Sequence, residues 1–202
     1  MYPILYNIKD IGSILCTGMV IKMLDDVMDN DCHYLKYLLK KHDKQTIYNT
    51  LLGYMLLLLC LGSILNYIYS STLFVSAYVI GMFFDINMKM PSGLRVYQEC
   101  IIYGAILFFI LGWQQAVSSF LIVWAIQLLD DILDHKKDKK LGIKNYVNRF
   151  GLVETILFCS MLFLCSYGLN WKKSLSVTLI SLFIIMIFNY LDHIFYERIN
   201  KQ

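Results

Sequence analysis

Residues 114–134 read QQAVSSFLIVWAIQLLDDILD, an apolar run that carries no charged residue until the three aspartates at its end. A bilayer core of ~30 Å is crossed by about 20 helical residues, which is the length of this run. A strand is excluded as the alternative, because an open sheet edge would leave unpaired backbone groups in lipid. The run therefore predicts a membrane-spanning helix whose last turn carries a cluster of acidic side chains.

Six similar runs lie elsewhere in the chain, four before it and two after it. They occupy residues 8–24, 47–68, 72–86, 95–111, 151–168 and 173–194. The composition agrees with a membrane protein, since 58% of the 202 residues are hydrophobic and 16% are charged, whereas a soluble domain has about 25% charged residues. We expect an all-α membrane protein of about seven transmembrane helices that forms one domain over residues 1–202.

The lysines and arginines are unequally divided between the two faces of the predicted bundle. If the helices cross in alternate directions, 15 of the 18 fall on one face and three, Lys9, Lys172 and Lys173, on the other. The positive-inside rule makes the richer face cytoplasmic and puts the N-terminus outside. We expect a multi-pass protein of a bacterial-type cell membrane. The net charge of +3 is too small to indicate a nucleic-acid partner.

Two aspartate clusters lie at the cytoplasmic ends of the first and fifth predicted helices. They read DDVMD and DDILD, start 105 residues apart, and the second continues to one more aspartate a turn later. Their members are Asp25, Asp26 and Asp29 in the first cluster, and Asp130, Asp131, Asp134 and Asp138 in the second cluster. Carboxylates three or four residues apart share a helix face and repel each other. A helix C-terminus is also unfavourable for anions.

A divalent cation would offset this repulsion. Mg²⁺ prefers oxygen ligands and is commonly held by carboxylates together with phosphate oxygens. Two facing clusters would hold Mg²⁺ ions that bridge a diphosphate, and Lys89, Arg95 and Lys144 would cover its remaining charge. Metal and cations together would stabilise diphosphate as a leaving group. Solvated helix ends are the simpler interpretation, but ionisable residues at membrane level are costly and usually functional.

The second cluster and the residues after it resemble a known family. Residues 131–144, DILDHKKDKKLGIK, followed by Arg149-Phe150-Gly151, are similar to the signature DxxDxxxDxxxGIKT and the RxG-like segment of the UbiA-type intramembrane prenyltransferases. The first cluster resembles the other family signature, NDxxDxxxD, with Asp25 in the Asn position and His33 in the last Asp position. The resemblance covers most of the chain, with four predicted helices between the signatures.

The resemblance implies a helical bundle around a central cavity. It also implies Mg²⁺-dependent ionisation of an isoprenyl diphosphate and transfer of the prenyl group to a hydrophobic acceptor, either an aromatic ring or a lipid. All seven aspartates of the clusters would hold metal, and the catalytic ones would be Asp25, Asp29, Asp134 and Asp138. A membrane terpene cyclase and a non-catalytic paralogue that binds prenyl lipids remain as alternatives. Glu99, in the fourth predicted helix, is expected to form an interhelical hydrogen bond, with acceptor binding as the alternative.

Two departures from the family pattern matter. Asn145 stands where the family has Thr, and the basic RP pair after the first signature is missing. We also expect this chain to lack counterparts of the first and last family helices, which leaves room for a homo-oligomer or a partner subunit. Prenyl chain length and acceptor identity do not follow from the sequence.

Overall fold

A computed structural model of the chain describes residues 2–29, 43–82, 87–90, 92–141 and 145–200. Seven helices lie within these residues: α1 (Tyr2–Asp29), α2 (Lys44–Leu65), α3 (Tyr67–Gly81), α4 (Val96–Ile110), α5 (Trp113–Leu141), α6 (Tyr146–Phe150) and α7 (Leu152–Asn200). In this part of the chain, strand-like pairing is confined to one antiparallel bridge between Lys89 and Arg95. The prediction of an all-α chain is confirmed for the described residues.

Most predicted apolar runs fall on one helix each, but the run 47–68 crosses the break between α2 and α3 at Asn66, and the last two runs share α7. This helix is interrupted at Asn170, whose φ of −152° and ψ of 81° are not helical. Eight residues of a straight helix rise about 12 Å, yet the Oγ atoms of Ser166 and Ser174 are 2.7 Å apart. The chain therefore folds back at Asn170, and α7 consists of a first arm before this residue and a second arm after it. The predicted end of the third run, at residues 83–86, lies outside the described residues.

Three stretches are long and apolar enough to cross a membrane: Gln45–Leu65, Trp113–His135 and Leu152–Phe195. They indicate a membrane protein. Helices α3 and α4 are also apolar, but each has 15 residues. The number of membrane crossings therefore stays a prediction.

The chain divides into two compact units, of which unit 1 comprises Met1–Ser71 and Leu179–Gln202. In unit 1, α1 and α2 approach closely at Gly62, where a Cβ atom would lie 2.9 Å from Thr17 Oγ1. Thr17 Oγ1 donates a 2.9 Å hydrogen bond to Ser70 Oγ. The second arm of α7 reaches α1 at Gly18, where an added Cβ would lie 2.7 Å from Ile184 Cδ1. Small residues thus allow close helix packing, as is common in membranes.

Unit 2 comprises Thr72–Thr178. Its core lies between α5 and the first arm of α7 and is formed by Ala125, Leu128, Cys159 and Leu162. Hydrogen bonds join the same two helices, since Cys159 Sγ donates to the carbonyl of Ala125 at 3.3 Å and Ser166 Oγ to that of Ser118 at 3.1 Å. The prediction of one domain over residues 1–202 is not tested by this division.

Two asparagine turns in the chain are built alike. Asn66, between α2 and α3, has φ −155° and ψ 100°, close to the values at Asn170. Asn66 Nδ2 donates to Asp10 Oδ1 at 2.6 Å, and Asn66 Oδ1 accepts from the amide of Ile68 at 3.1 Å. Asn170 Nδ2 donates to Gln115 Oε1 at 3.5 Å, and Asn170 Oδ1 accepts from the amide of Lys173 at 3.3 Å. Each asparagine begins the helix that follows it and binds a preceding helix.

These contacts extend the repeat that the aspartate clusters suggest. Gln115 follows Asp10 by 105 residues and Asn170 follows Asn66 by 104, which matches the spacing of the two clusters. In each half, a helix with DDxxD in its C-terminal part is followed along the chain by two helical segments that are joined at an asparagine. The sequence pattern alone showed only the aspartates of this repeat.

Lys173, at the start of the last predicted run, is buried. Its side chain is 1% exposed. The Nζ atom donates to Thr72 Oγ1 at 3.1 Å, to both the carbonyl and Oε1 of Gln115 at 3.2 and 3.1 Å, and to Ser119 Oγ. Lys173 therefore links α3, α5 and the start of the second arm of α7 inside unit 2.

Candidate functional site

The first cluster ends α1. The Asp25 side chain is 44% exposed and that of Asp26 is 7% exposed. Lys22 Nζ lies 3.2 Å from Asp25 Oδ2 and 3.4 Å from Asp26 Oδ1. The backbone of Asp29 is helical, and its side chain lies outside the described part of the structure.

Lys22 is a site residue that the sequence interpretation missed. Its spacing of three and four residues from Asp25 and Asp26 is the signal that could have found it, because such residues are neighbours on a helix. Lys22 offsets part of the repulsion between the two carboxylates, and its pair with Asp26 is largely removed from water.

The second cluster lies on the last turns of α5, where Asp130, Asp131 and Asp134 are half-buried. The residues that follow the signature return to this helix. The amide of Tyr146 donates to Asp131 Oδ2 at 2.8 Å, and Asn145 Nδ2 donates to the Asp131 carbonyl at 2.9 Å. The bond from Tyr146 fixes the orientation of the Asp131 carboxylate, and the bond from Asn145 holds the backbone of the same residue.

Asn145 also caps the short helix α6. Its Oδ1 accepts from the amide of Val147 at 2.8 Å, and the residue is 4% exposed. An asparagine supplies both the acceptor for α6 and the amide donor for Asp131. Both polar groups of the Asn145 side chain are therefore hydrogen-bonded within this part of the chain.

Tyr146 is a second residue that sequence reasoning missed. Burial raises the pKa of its hydroxyl above the ordinary value, and the negative charge of the nearby Asp131 raises it further. Tyr146 therefore stays a neutral phenol beside the cluster. Its aromatic ring stacks on that of Phe150 within α6, with the centroids 6.1 Å apart, and it packs against the core cluster that includes Ala125 and Leu128 of α5.

Lys89 and Arg95 form a basic pair on a short hairpin, residues 88–96, called here the basic hairpin. The amide of Val96 donates to the carbonyl of Met88 at 3.1 Å, and that of Met90 to Leu94 at 2.9 Å. These bonds flank Lys89 and Arg95, which makes them a non-hydrogen-bonded antiparallel pair whose Cα atoms are typically about 4.5 Å apart. Both residues are exposed, and their side chains leave the same face of the hairpin.

The predicted metal site stays a prediction. Within the described residues, no group of three or more His, Cys, Asp or Glu side chains is placed to hold a metal ion. The side chains of Asp29 and Asp138 and the whole of Lys144 lie outside those residues, and the two clusters belong to separate units. The donor chemistry fits Mg²⁺, because every predicted ligand is a carboxylate oxygen.

Comparison of the chain with protein-family models, with curated proteins and with solved structures finds no match. The described residues form helices, and the long apolar ones among them indicate a membrane protein. A carboxylate cluster ends α5 and is bonded to the segment that follows it.

Proposed function

We propose that this chain is a Mg²⁺-dependent membrane prenyltransferase of the UbiA type. It would ionise an isoprenyl diphosphate and transfer the prenyl group to an aromatic or lipid acceptor. The observation that carries this proposal is the pair of hydrogen bonds from Asn145 and Tyr146 to Asp131. They join the helix that carries the aspartates of the second signature to the segment that begins at Asn145.

The residues of the chain have separate roles in this proposal. The aspartates of both clusters, with Asp134 central to the second, hold the metal. Bound Mg²⁺ would offset the negative charge that develops on the departing diphosphate. Lys89 and Arg95 bind phosphate oxygens directly, and Arg can do so with two hydrogen bonds. Asp131 is kept in a fixed orientation by Tyr146, so its carboxylate needs no reorganisation when ligand arrives.

We further propose seven membrane crossings, with the clusters and the basic hairpin on the cytoplasmic side. The two arms of α7 would each cross once. Helices α3 and α4 have 15 residues each and so rise only about 22 Å. The bilayer would therefore thin around them, at a cost of fractions of a kcal/mol per Å of mismatch.

The test is turnover by the purified full chain in nanodiscs. Isoprenyl diphosphates of several lengths are offered with and without Mg²⁺, and diphosphate release is followed. We expect the unsubstituted chain to release diphosphate only when Mg²⁺ is present. The Asp134→Asn variant should still insert and fold but release none. Asp43→Asn is the matched control, because Asp43 precedes α2 without a side-chain capping bond and belongs to neither cluster.

Three outcomes would revise the proposal. Full activity of Asp134→Asn would refute the site. Release without an acceptor, accompanied by a cyclic hydrocarbon product, would identify a terpene cyclase instead. Prenyl diphosphate binding without release at any chain length would indicate the non-catalytic paralogue.

A further inference from the structure

Glu99 is a buried carboxylate whose two oxygens both accept hydrogen bonds. The residue lies in the first turn of α4 and is 8% exposed. The hydroxyl of Tyr78, on α3, donates to Glu99 Oε2 at 2.7 Å, and Ser92 Oγ, on the basic hairpin, donates to Glu99 Oε1. The predicted interhelical hydrogen bond is confirmed. Because a buried charge is costly unless it is hydrogen-bonded, these two donors are what hold Glu99 in place.

Both donors are themselves held by their surroundings. The ring of Tyr78 meets that of Tyr103 edge to face, with the centroids 5.7 Å apart. Ser92 Oγ accepts from the amide of Leu94 at 3.3 Å, inside the turn of the hairpin. The turn is tight, since the amide of Gly93 donates to the Met90 carbonyl at 2.9 Å and Gly93 has a φ of 83°. Glu99 thus connects a packed ring on α3 to the tip of the basic hairpin.

The hairpin brings two cations together at a cost. Like charges directly opposite each other on paired strands are destabilising. The Lys89–Arg95 pairing therefore needs a further contact that keeps the two strands in register. An anion bound between the two side chains would also stabilise it. The hydrogen bond from Ser92 to Glu99 can provide the contact, because Ser92 lies between the paired residues in the chain.

We propose that Glu99 is a positioning residue, which holds the basic hairpin in the register that lets Lys89 and Arg95 bind the phosphate groups of the substrate together. The ligand named here rests on the proposed function. Without Glu99, both cations remain, but the distance between them is no longer set. Binding of a phosphate-containing ligand is then weakened rather than lost.

The first experiment measures binding of inorganic diphosphate, with Mg²⁺, to the full chain in nanodiscs. Glu99→Gln, Ser92→Ala and Tyr78→Phe are compared with Tyr103→Phe, which removes the same hydroxyl from the neighbouring ring. We expect about a tenfold rise in Kd for the first three, the size of one lost hydrogen bond to a charged group, and no change for Tyr103→Phe. In turnover, KM rises and kcat changes little, as for an interaction that acts on binding.

The second experiment measures the hairpin itself, independently of any ligand. Lys89→Cys and Arg95→Cys are combined in a background without the native cysteines, and the rate of disulfide formation under mild oxidation is followed by mass spectrometry. A facing pair of this kind suits a disulfide. We expect slower and incomplete cross-linking once Glu99→Gln is added.

The outcomes separate the two proposals. Failure of the unsubstituted chain to bind diphosphate overturns the proposed function and the ligand named here. The role of Glu99 alone is overturned if diphosphate binding is unchanged in Glu99→Gln, Ser92→Ala and Tyr78→Phe. It is also overturned if cross-linking proceeds at an equal rate with and without Glu99→Gln. If Glu99→Gln fails to fold, Tyr78→Phe decides, because it removes a single hydroxyl.

Discussion

Lys173 is a basic residue whose amino group this fold keeps out of water. Burying a polar group costs free energy unless the group is hydrogen-bonded. Here the hydroxyls of Thr72 and Ser119 and two oxygens of Gln115 accept from its Nζ. One side chain thus joins three helical segments of unit 2, and the same oxygens would be left without this donor if it were removed.

Lys173→Ala should therefore destabilise the protein by about 3 kcal/mol, because several buried oxygens would lose their hydrogen-bond donor at once. The measurement is the unfolding midpoint in detergent. Lys172→Ala is the matched control, since the neighbouring Lys172 directs its Nζ toward the ring of Trp171, 5.9 Å from the centroid, and should shift the midpoint little. Equal shifts for the two variants would contradict this role of Lys173.

The sequence allowed some site residues to be predicted and not others. The aspartates could be found because a run of carboxylates at the end of an apolar segment is unusual in itself. Lys22 could have been found from its helical spacing. Tyr146 and Lys173 could not, because their partners lie 15 residues or more away in the chain and depend on how the chain folds back.

At the scale of elements, the two asparagine turns decide where the chain reverses. Each asparagine accepts from an amide at the start of the following helix and donates to a side chain on an earlier helix. Serine pairs on either side of each turn add further bonds, Ser63 with Ser70 and Ser166 with Ser174. The turns therefore replace the backbone hydrogen bonds that each interruption removes.

Asn66→Ala and Asn170→Ala should each cost about 1 kcal/mol or more, since the loss of a helix-capping side chain alone has this size. Thermal unfolding in detergent measures the effect. Asn49→Ala, at an exposed position of α2, should be nearly neutral. An unchanged midpoint for both turn variants would show that the serine pairs suffice to hold the turns.

The helices themselves were largely predictable, whereas their ends were not. The first apolar run covers residues 8–24, but α1 extends over Tyr2–Asp29, and α5 continues to Leu141, beyond the run that ends at 134. Hydrophobic patterning marks only the part of a helix that meets apolar surroundings, while the backbone bonds continue through polar residues. The short helix α6 has no apolar period and depends on the Asn145 cap.

At the scale of the whole molecule, many large apolar side chains face outward. Ile64, Phe109 and Leu164 are exposed at 79%, 83% and 73%. A soluble protein rarely exposes large contiguous apolar patches, whereas lipid accepts such side chains on every helix. The outward faces thus agree with the long apolar helices in indicating a membrane protein.

The proposed topology can be tested by labelling within unit 2. Leu94→Cys and Lys172→Cys are introduced singly into a background without native cysteines, and intact cells are treated with a membrane-impermeant maleimide. We expect labelling of Lys172→Cys in intact cells, and of Leu94→Cys only after permeabilisation, since the positive-inside rule puts the basic hairpin in the cytoplasm. Labelling of both variants in intact cells would rule out this topology.

Unit 1 is built from two stretches of chain that are separated by all of Thr72–Thr178. The contact between Asp10 and Asn66 can form early in synthesis, whereas Ile184, which meets α1 at Gly18, leaves the ribosome only after unit 2. Until then, the α1 face around Gly18 must be shielded by lipid or by the insertion machinery. The N-terminal part of unit 1 is therefore synthesised first, but its packing is completed last, when the second arm of α7 reaches α1.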